Sequence, residues 1–135
     1  MAKTRILLVD DHDIVRLCLM TLLNDQPDME VVGEAGTAGE AVKAVEKFHP
    51  DVVLMDIRLP GEGGIEATRQ VTERFPSSKV VILTSFADDE LVVRAIRAGA
   101  VGYILKQVGT DELLRAIQAA ARGEAVLDPS TTARL

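Results

Sequence analysis

Four apolar residues, Val52-Val53-Leu54-Met55, run straight into a carboxylate at Asp56, and Leu59-Pro60-Gly61 turns the chain soon afterwards. A run this short, wholly apolar and β-branched at its start fits a strand buried on both faces, the kind found in parallel sheets covered by helices. Asp56 then stands at the C-terminal mouth of a sheet, where open α/β folds gather ligands and chemistry. Taken alone, Asp56 reads better as a turn carboxylate capping the next loop. Its weight comes from what ends the other strands.

Arg5-Ile6-Leu7-Leu8-Val9 is a second apolar strand and ends in Asp10-Asp11. Lys79-Val80-Val81-Ile82-Leu83-Thr84 is a third and ends in the hydroxyl pair Thr84-Ser85. Val101-Gly102-Tyr103-Ile104-Leu105 is a fourth and ends in Lys106. Met29 to Glu34 mixes polar and apolar residues, as an edge strand does. Helical spacing fills the intervals. In the first, Ile14, Leu17, Cys18, Met20 and Leu22 form a stripe between Asp13 and Leu23, with Cys18 read as a small core residue. Thr37 with Glu40 makes a capping box for a helix to about Phe48. A third helix runs from about Ile65 to Arg74 after Gly61-Glu62-Gly63-Gly64, a flexible loop that Gly63-Gly64 makes looser than usual. Asp88-Asp89-Glu90 open a fourth that ends at Ala98 with Gly99 as its cap. Thr110-Asp111-Glu112 open a fifth that reaches Arg122-Gly123.

Strict alternation with short connections predicts an α/β fold, a doubly wound parallel sheet of five strands with five helices. The 135 residues suit one domain. Aromatics are 3% and Trp is absent, so the core has to be Val, Ile, Leu and Ala. A formal charge of −6, with the fifteen basic residues scattered, argues against a nucleic-acid grip by this chain itself. One cysteine excludes a disulfide framework. No membrane span or signal-peptide pattern is present, which predicts a cytoplasmic location.

With a flavodoxin-like strand order 2-1-3-4-5, strands one and three meet at the switch point and Asp10 and Asp11 come beside Asp56. Three such carboxylates repel one another unless a cation shares them, and hard oxygen donors suit Mg²⁺. An aspartate can attack phosphorus to give an aspartyl phosphate. At an ordinary pKa of about 3.9 it needs no general base. Phosphoryl transfer asks for positioning and charge neutralisation, which Lys106 and Thr84 would supply.

The chain resembles the receiver domain of a two-component response regulator. The residues that carry the resemblance are Leu8-Val9-Asp10-Asp11-His12, Val53 through Gly61, Gly64-Ile65-Glu66-Ala67-Thr68, Leu83-Thr84-Ser85-Phe86, and Gly99 through Lys106. Val31-Val32-Gly33-Glu34-Ala35 and Gly64 through Arg69 are similar to the NarL/FixJ branch. The resemblance implies that Asp56 is the phosphoacceptor and that Asp10, Asp11, Asp56 and the Arg58 carbonyl hold Mg²⁺. It implies that Thr84 and Lys106 contact the phosphoryl group and that Thr84 and Tyr103 form the switch, Tyr103 turning inward. A sensor histidine kinase is then the expected partner, with a homodimer on phosphorylation. DNA would be reached only through an effector domain absent from this chain. Residues 1–123 read as the receiver and 124–135 as the start of a linker toward a helix-turn-helix domain. The expected dimer surface lies on the first and last helices, with Ile117, Ala120 and Ala121 on the last, or on the Tyr103 face. His12 is expected to face solvent and His49 to be a surface residue. Arg58 and Phe86 flank the phosphoryl position and predict a long-lived phosphoform.

Three rivals belong to other classes. A haloacid dehalogenase-like phosphatase, a true enzyme, needs a second Asp two residues after its nucleophile, and Arg58 stands there. A Rossmann-like nucleotide module needs a glycine cradle where Asp10-Asp11-His12 stands. A receiver fold serving only as a protein scaffold would not use the acidic set.

Overall fold

A computed structural model describes residues 2–85 and 88–127. Phe86 and residues 128–135, with the Asp128–Thr132 turn read from sequence, lie outside the described residues. The elements alternate as expected: β1 (Thr4–Val9), α1 (Asp13–Asn24), β2 (Met29–Ala35), α2 (Ala38–Phe48), β3 (Val52–Met55), α3 (Gly63–Arg74), β4 (Lys79–Thr84), α4 (Asp89–Arg97), β5 (Gly102–Leu105) and α5 (Thr110–Ala121). The strands are all parallel and ordered β2-β1-β3-β4-β5, followed by a short β6 (Val126–Leu127) beside β5. The five-stranded, doubly wound α/β sheet with five helices is therefore present. β6 falls inside the stretch that the sequence offered only as a turn or linker, because a strand of two residues shows no periodicity.

Strand alternation divides the core in two. Leu7, Val9, Val53, Met55, Val80, Ile82 and Tyr103 face α2, α3 and α4, where Ala41, Val45, Ala67, Val71, Val92 and Ala95 meet them. Ile6, Leu8, Val52, Leu54, Val81, Leu83 and Ile104 face α1 and α5 and pack on Leu23, Leu113, Ala116, Ile117 and Ala120. Burial on both faces explains why these strands read as continuous apolar runs.

The helix ends follow local chemistry. Thr37 Oγ1 accepts from the Glu40 N–H at 3.1 Å, and Glu40 reaches back to the N–H of Gly36, one residue before the capping-box position. Asp88 caps α4 by accepting from Glu90 and Leu91. Gly99 follows the α4 cap at φ +111°, a conformation that L side chains rarely adopt. His49 ends α2 in the left-handed region at φ 47° and is exposed.

Two readings need correction. Cys18 is exposed. On α1 it is Leu23, helped by Leu19, Met20 and Leu22, that packs inward, while Ile14 (71% exposed) and Leu17 (58%) point out beside Cys18. The α5 residues Ile117 and Ala120 are fully buried against the sheet and Ala121 alone is exposed, so two of the three residues expected at a dimer surface belong to the core. Among the described residues no helix is long and apolar enough to cross a membrane.

Candidate phosphoryl-transfer site

Backbone pairing alone brings the polar strand ends together. β1 and β3 are neighbours in register Val9↔Met55, and the Asp56 N–H continues the ladder by donating to Val9 O at 2.9 Å. Asp10 is tied to β2 through its N–H to Ala35 O at 3.1 Å. On the other side, Lys106 N donates to Thr84 O at 2.8 Å, just past the Thr84↔Leu105 pair. Each chemical residue thus follows the last rung of a strand or, for Thr84, forms it.

The side chains converge. Asp10 and Asp56 are 4% and 5% exposed, and Lys106 Nζ lies between them, 2.8 Å from Asp10 Oδ2 and 3.3 Å from Asp56 Oδ2. Asp11 is exposed at the rim. One ligand atom each from Asp10, Asp11, His12 and Asp56 falls within a 4.8 Å span. The Arg58 N–H donates to Asp56 Oδ1 at 3.4 Å, which places the Arg58 backbone beside the nucleophile. Thr84 is fully buried at the end of β4. Tyr103 is fully buried on the face shared with α3 and α4, so it already occupies an inward position.

The two buried carboxylates are pushed in opposite directions. Burial raises both, but Asp10 ends below its ordinary value because it accepts hydrogen bonds from Lys106 and from the backbone and ring of His12. Asp56 ends above its ordinary value: burial and the negative charge of Asp10 outweigh Lys106 and the Arg58 N–H. The ordinary carboxylate assumed from sequence is therefore not what the fold provides. Burial would lower the ammonium of Lys106, yet the two carboxylates carry it above the usual lysine range.

The donor set fits a hard divalent cation. Asp10, Asp11 and Asp56 offer carboxylate oxygens, and their excess of negative charge over the single lysine favours an added cation.

Three contributors were not visible in the sequence pattern. His12 is indeed exposed, but its Nδ1 lies 3.0 Å from both Asp10 Oδ1 and Asp11 Oδ1. Arg16, one helical turn later, donates to the carbonyl of Asp10 and the carboxylate of Asp13, and reaches Glu34 Oε1 of β2 at 3.1 Å. The i, i+3 spacing of Asp13 and Arg16 was the available signal. Gly64 is buried in the first turn of α3, and its N–H donates to Ile57 O at 2.8 Å. A Cβ there would run into the Asp56 carbonyl oxygen and come within 2.8 Å of Ile57 Cα. The loop read as loose is pinned at that residue.

Residues 6–118 match the family described as response regulator receiver domain, and the chain belongs to it. The transcriptional regulatory protein LiaR of Bacillus subtilis (strain 168) is 43% identical over 131 residues, covering 97% of this chain and 62% of that protein. The DNA-binding transcriptional activator DevR/DosR of Mycobacterium tuberculosis (strain ATCC 25618 / H37Rv) is 43% identical over 131 residues, 97% of this chain and 60% of that protein. A LuxR-family two-component response regulator from Aurantimonas sp. SI85-9A1 superposes with a TM-score of 0.93 at 38% identity, over 98% of this chain and 95% of that chain. These relatives place the chain in the NarL/FixJ-like branch. The chain spans about 60% of the length of the curated relatives named here. Domains of this family are signalling modules that histidine kinases phosphorylate, generally with Mg²⁺, rather than metabolic enzymes. The phosphatase and nucleotide-module readings are set aside by the match.

Proposed function

We propose that Asp56 accepts a phosphoryl group from a sensor histidine kinase or a small acyl phosphate. The observation that carries the reading is Lys106 Nζ shared between two buried carboxylates, with Asp11 and the Arg58 backbone at the same strand ends. An Asp56 carboxylate oxygen attacks phosphorus, the bond to the donor's oxygen or nitrogen breaks, and its electron pair leaves with the donor. Asp10, Asp11, Asp56 and the Arg58 carbonyl are the residues that would hold Mg²⁺, which when bound neutralises charge on the phosphoryl oxygens. Lys106 supplies a second positive charge from the β5 side. Its position is fixed by its backbone bond to Thr84 and its ion pair with Asp10. The Thr84 hydroxyl would donate to a phosphoryl oxygen.

The further steps extend the same reading. Thr84 and Tyr103 lie on adjacent strands and would pass the change to α4 and α5. Residues 1–123 would act as the receiver, with 124–135 leading toward a DNA-binding effector domain, and phosphorylation would favour a homodimer. A cytoplasmic site of action goes with such a partner. The relatives' roles as transcriptional regulators support this part.

Intact mass after incubation with Mg²⁺ and an acyl phosphate tests the core of the proposal. The expected result is one added phosphoryl group on the parent chain and none on Asp56→Asn. An adduct on both proteins would move the acceptor elsewhere. No adduct on either, with no phosphate released, would favour the scaffold.

A further inference from the structure

Asp10 has an N–H, a carboxylate and a carbonyl to place, and the sheet holds only the first. The Asp10 N–H donates to Ala35 O of β2 at 3.1 Å. In a parallel ladder the carbonyl of the same residue would accept from Thr37, two residues further along the partner strand. β2 has ended by then, and Thr37 is already the N-cap of α2. The Asp10 carbonyl is thus left beyond the last rung in a residue that is itself buried. A buried carbonyl without a donor is costly.

Arg16 supplies the donor. Its Nη1 donates to that carbonyl, its Nη2 to Asp13 Oδ1 in the first turn of α1, and its Nε to Glu34 Oε1 of β2 at 3.1 Å. One planar guanidinium therefore ties the end of β1 to its neighbour β2 and to the helix that follows. The rigid fork lets each nitrogen meet its own acceptor. The side chain is only 16% exposed. It passes over Gly36, where an added Cβ would stand 3.4 Å from Nη1. Arg69 is the contrast: it is about half exposed, and its partners Glu66 and Glu73 lie on its own helix.

We propose that Arg16 is a positioning residue for the cation site: by holding the Asp10 carbonyl it fixes the backbone from which the Asp10 and Asp11 carboxylates project. The inference rests on the metal-binding part of the phosphoacceptor reading. Removing Arg16 has two opposed effects on Mg²⁺. Losing a positive charge beside the acidic cluster tightens the hold on a cation. Losing the tie at the carbonyl weakens it, because the carboxylates must then be ordered at the moment of binding. Groups that orient metal ligands carry about 10–100-fold in affinity, so the second effect prevails. The sign of the change therefore separates positioning from charge.

Calorimetric Mg²⁺ titration of the parent chain, Arg16→Ala, Arg16→Lys and Arg69→Ala tests this, together with the rate of adduct formation from an acyl phosphate at saturating Mg²⁺. The expected result is Mg²⁺ affinity at least about tenfold weaker in Arg16→Ala. Arg16→Lys should be weakened too, since it keeps the charge but lacks the fork. Arg69→Ala should bind Mg²⁺ as the parent does. At saturating Mg²⁺ the rate of Arg16→Ala should return to the parental one, because Asp56, Thr84 and Lys106 are placed by β3, β4 and β5. Arg16→Lys carries the test alone should Arg16→Ala fail to fold. Mg²⁺ binding that is unchanged or tighter in Arg16→Ala overturns the positioning role, and so does an equal loss in Arg69→Ala or a rate that saturating Mg²⁺ does not restore. A parent that binds Mg²⁺ and forms no adduct refutes the phosphoacceptor reading, while the titrations still decide the role of Arg16. A parent that binds no Mg²⁺ overturns this inference.

Discussion

Replacing Gly64 by alanine should damage both stability and chemistry, and the structure sets the size of each effect. In a helix this change ordinarily gains roughly 0.5–1 kcal/mol, since alanine restricts the unfolded chain. At Gly64 the new methyl group would overlap the Asp56 carbonyl oxygen and crowd Ile57 Cα at 2.8 Å and Asp56 C at 2.9 Å. These are backbone atoms, so no side chain can turn aside. Relief requires the start of α3 and the end of β3 to part, and overpacking of this kind costs about 1–3 kcal/mol. The expected net loss is up to about 2.5 kcal/mol by urea unfolding, after the alanine gain is subtracted. The displaced backbone is that of the proposed nucleophile, and a shift on the order of 1 Å costs about a hundredfold in rate. The assay is the initial rate of phosphoryl adduct formation by mass. Gly39→Ala is the control: it lies exposed in α2 with nothing within 4 Å of its Cβ. That variant should be as stable as the parent or up to about 1 kcal/mol better, and phosphorylated at the parental rate. A Gly64→Ala protein with parental stability and rate would refute the argument.

Two further predictions follow from single positions. Cys18 should react with a thiol reagent, one equivalent per chain, as fast in the native protein as after unfolding in urea; protection in the native state would return it to the core. The phosphoform of Arg58→Ala should lose its phosphoryl group faster than the parent, read as decay of the adduct mass, if the exposed Arg58, two residues after Asp56, hinders water. Equal decay rates would remove that role.

How much was legible depends on which signal each residue sends. The strands were readable because burial on both faces leaves only apolar residues, and the polar residue that ends each run marks the sheet's mouth. Asp10, Asp11, Asp56, Thr84 and Lys106 were found that way, and pairing places them at the same mouth of the sheet. α1 misled because it carries two apolar stripes. Ile14, Leu17 and Cys18 follow one, and Leu19, Leu22 and Leu23 the other, and period alone does not say which meets the sheet. Ile117 and Ala120 were taken for surface residues for the converse reason: small side chains fit both a close helix-sheet contact and a subunit interface. Gly64 looked like loop flexibility because a missing Cβ reads the same whether it permits motion or close approach. Spacing reports only the Asp13–Arg16 pair; the contacts of His12 with Asp10 and Asp11, and of Arg16 with the Asp10 carbonyl and Glu34, exist only once the chain is folded.

The proposed switch can be weighed against what it must deliver. Moving an equilibrium from 1:99 to 99:1 takes about 5.5 kcal/mol of differential interaction. Hydrogen bonds to charged groups contribute about 1.5–3 kcal/mol, and Lys106 is a charged donor placed between the two buried carboxylates. It is held to Asp10 at 2.8 Å and more loosely to Asp56 at 3.3 Å. Turning toward a phosphoryl oxygen would therefore forfeit part of what it gains. Tyr103 is fully buried among the side chains of the α3–α4 face, and a state with this ring outward would give up about 1.5–3 kcal/mol of apolar burial. Neither residue reaches the requirement alone, and the two together reach it only near their upper values. Thr84 joins them, since its carbonyl holds the Lys106 backbone and its own strand adjoins that of Tyr103. A phosphorylation-driven change in this chain therefore has to move Lys106 and Tyr103 as one unit through Thr84. Thr84→Ala keeps that carbonyl and that strand, so the energetic coupling between Lys106 and Tyr103, read from a double-mutant cycle, should persist in this background, and its loss there would refute the backbone route.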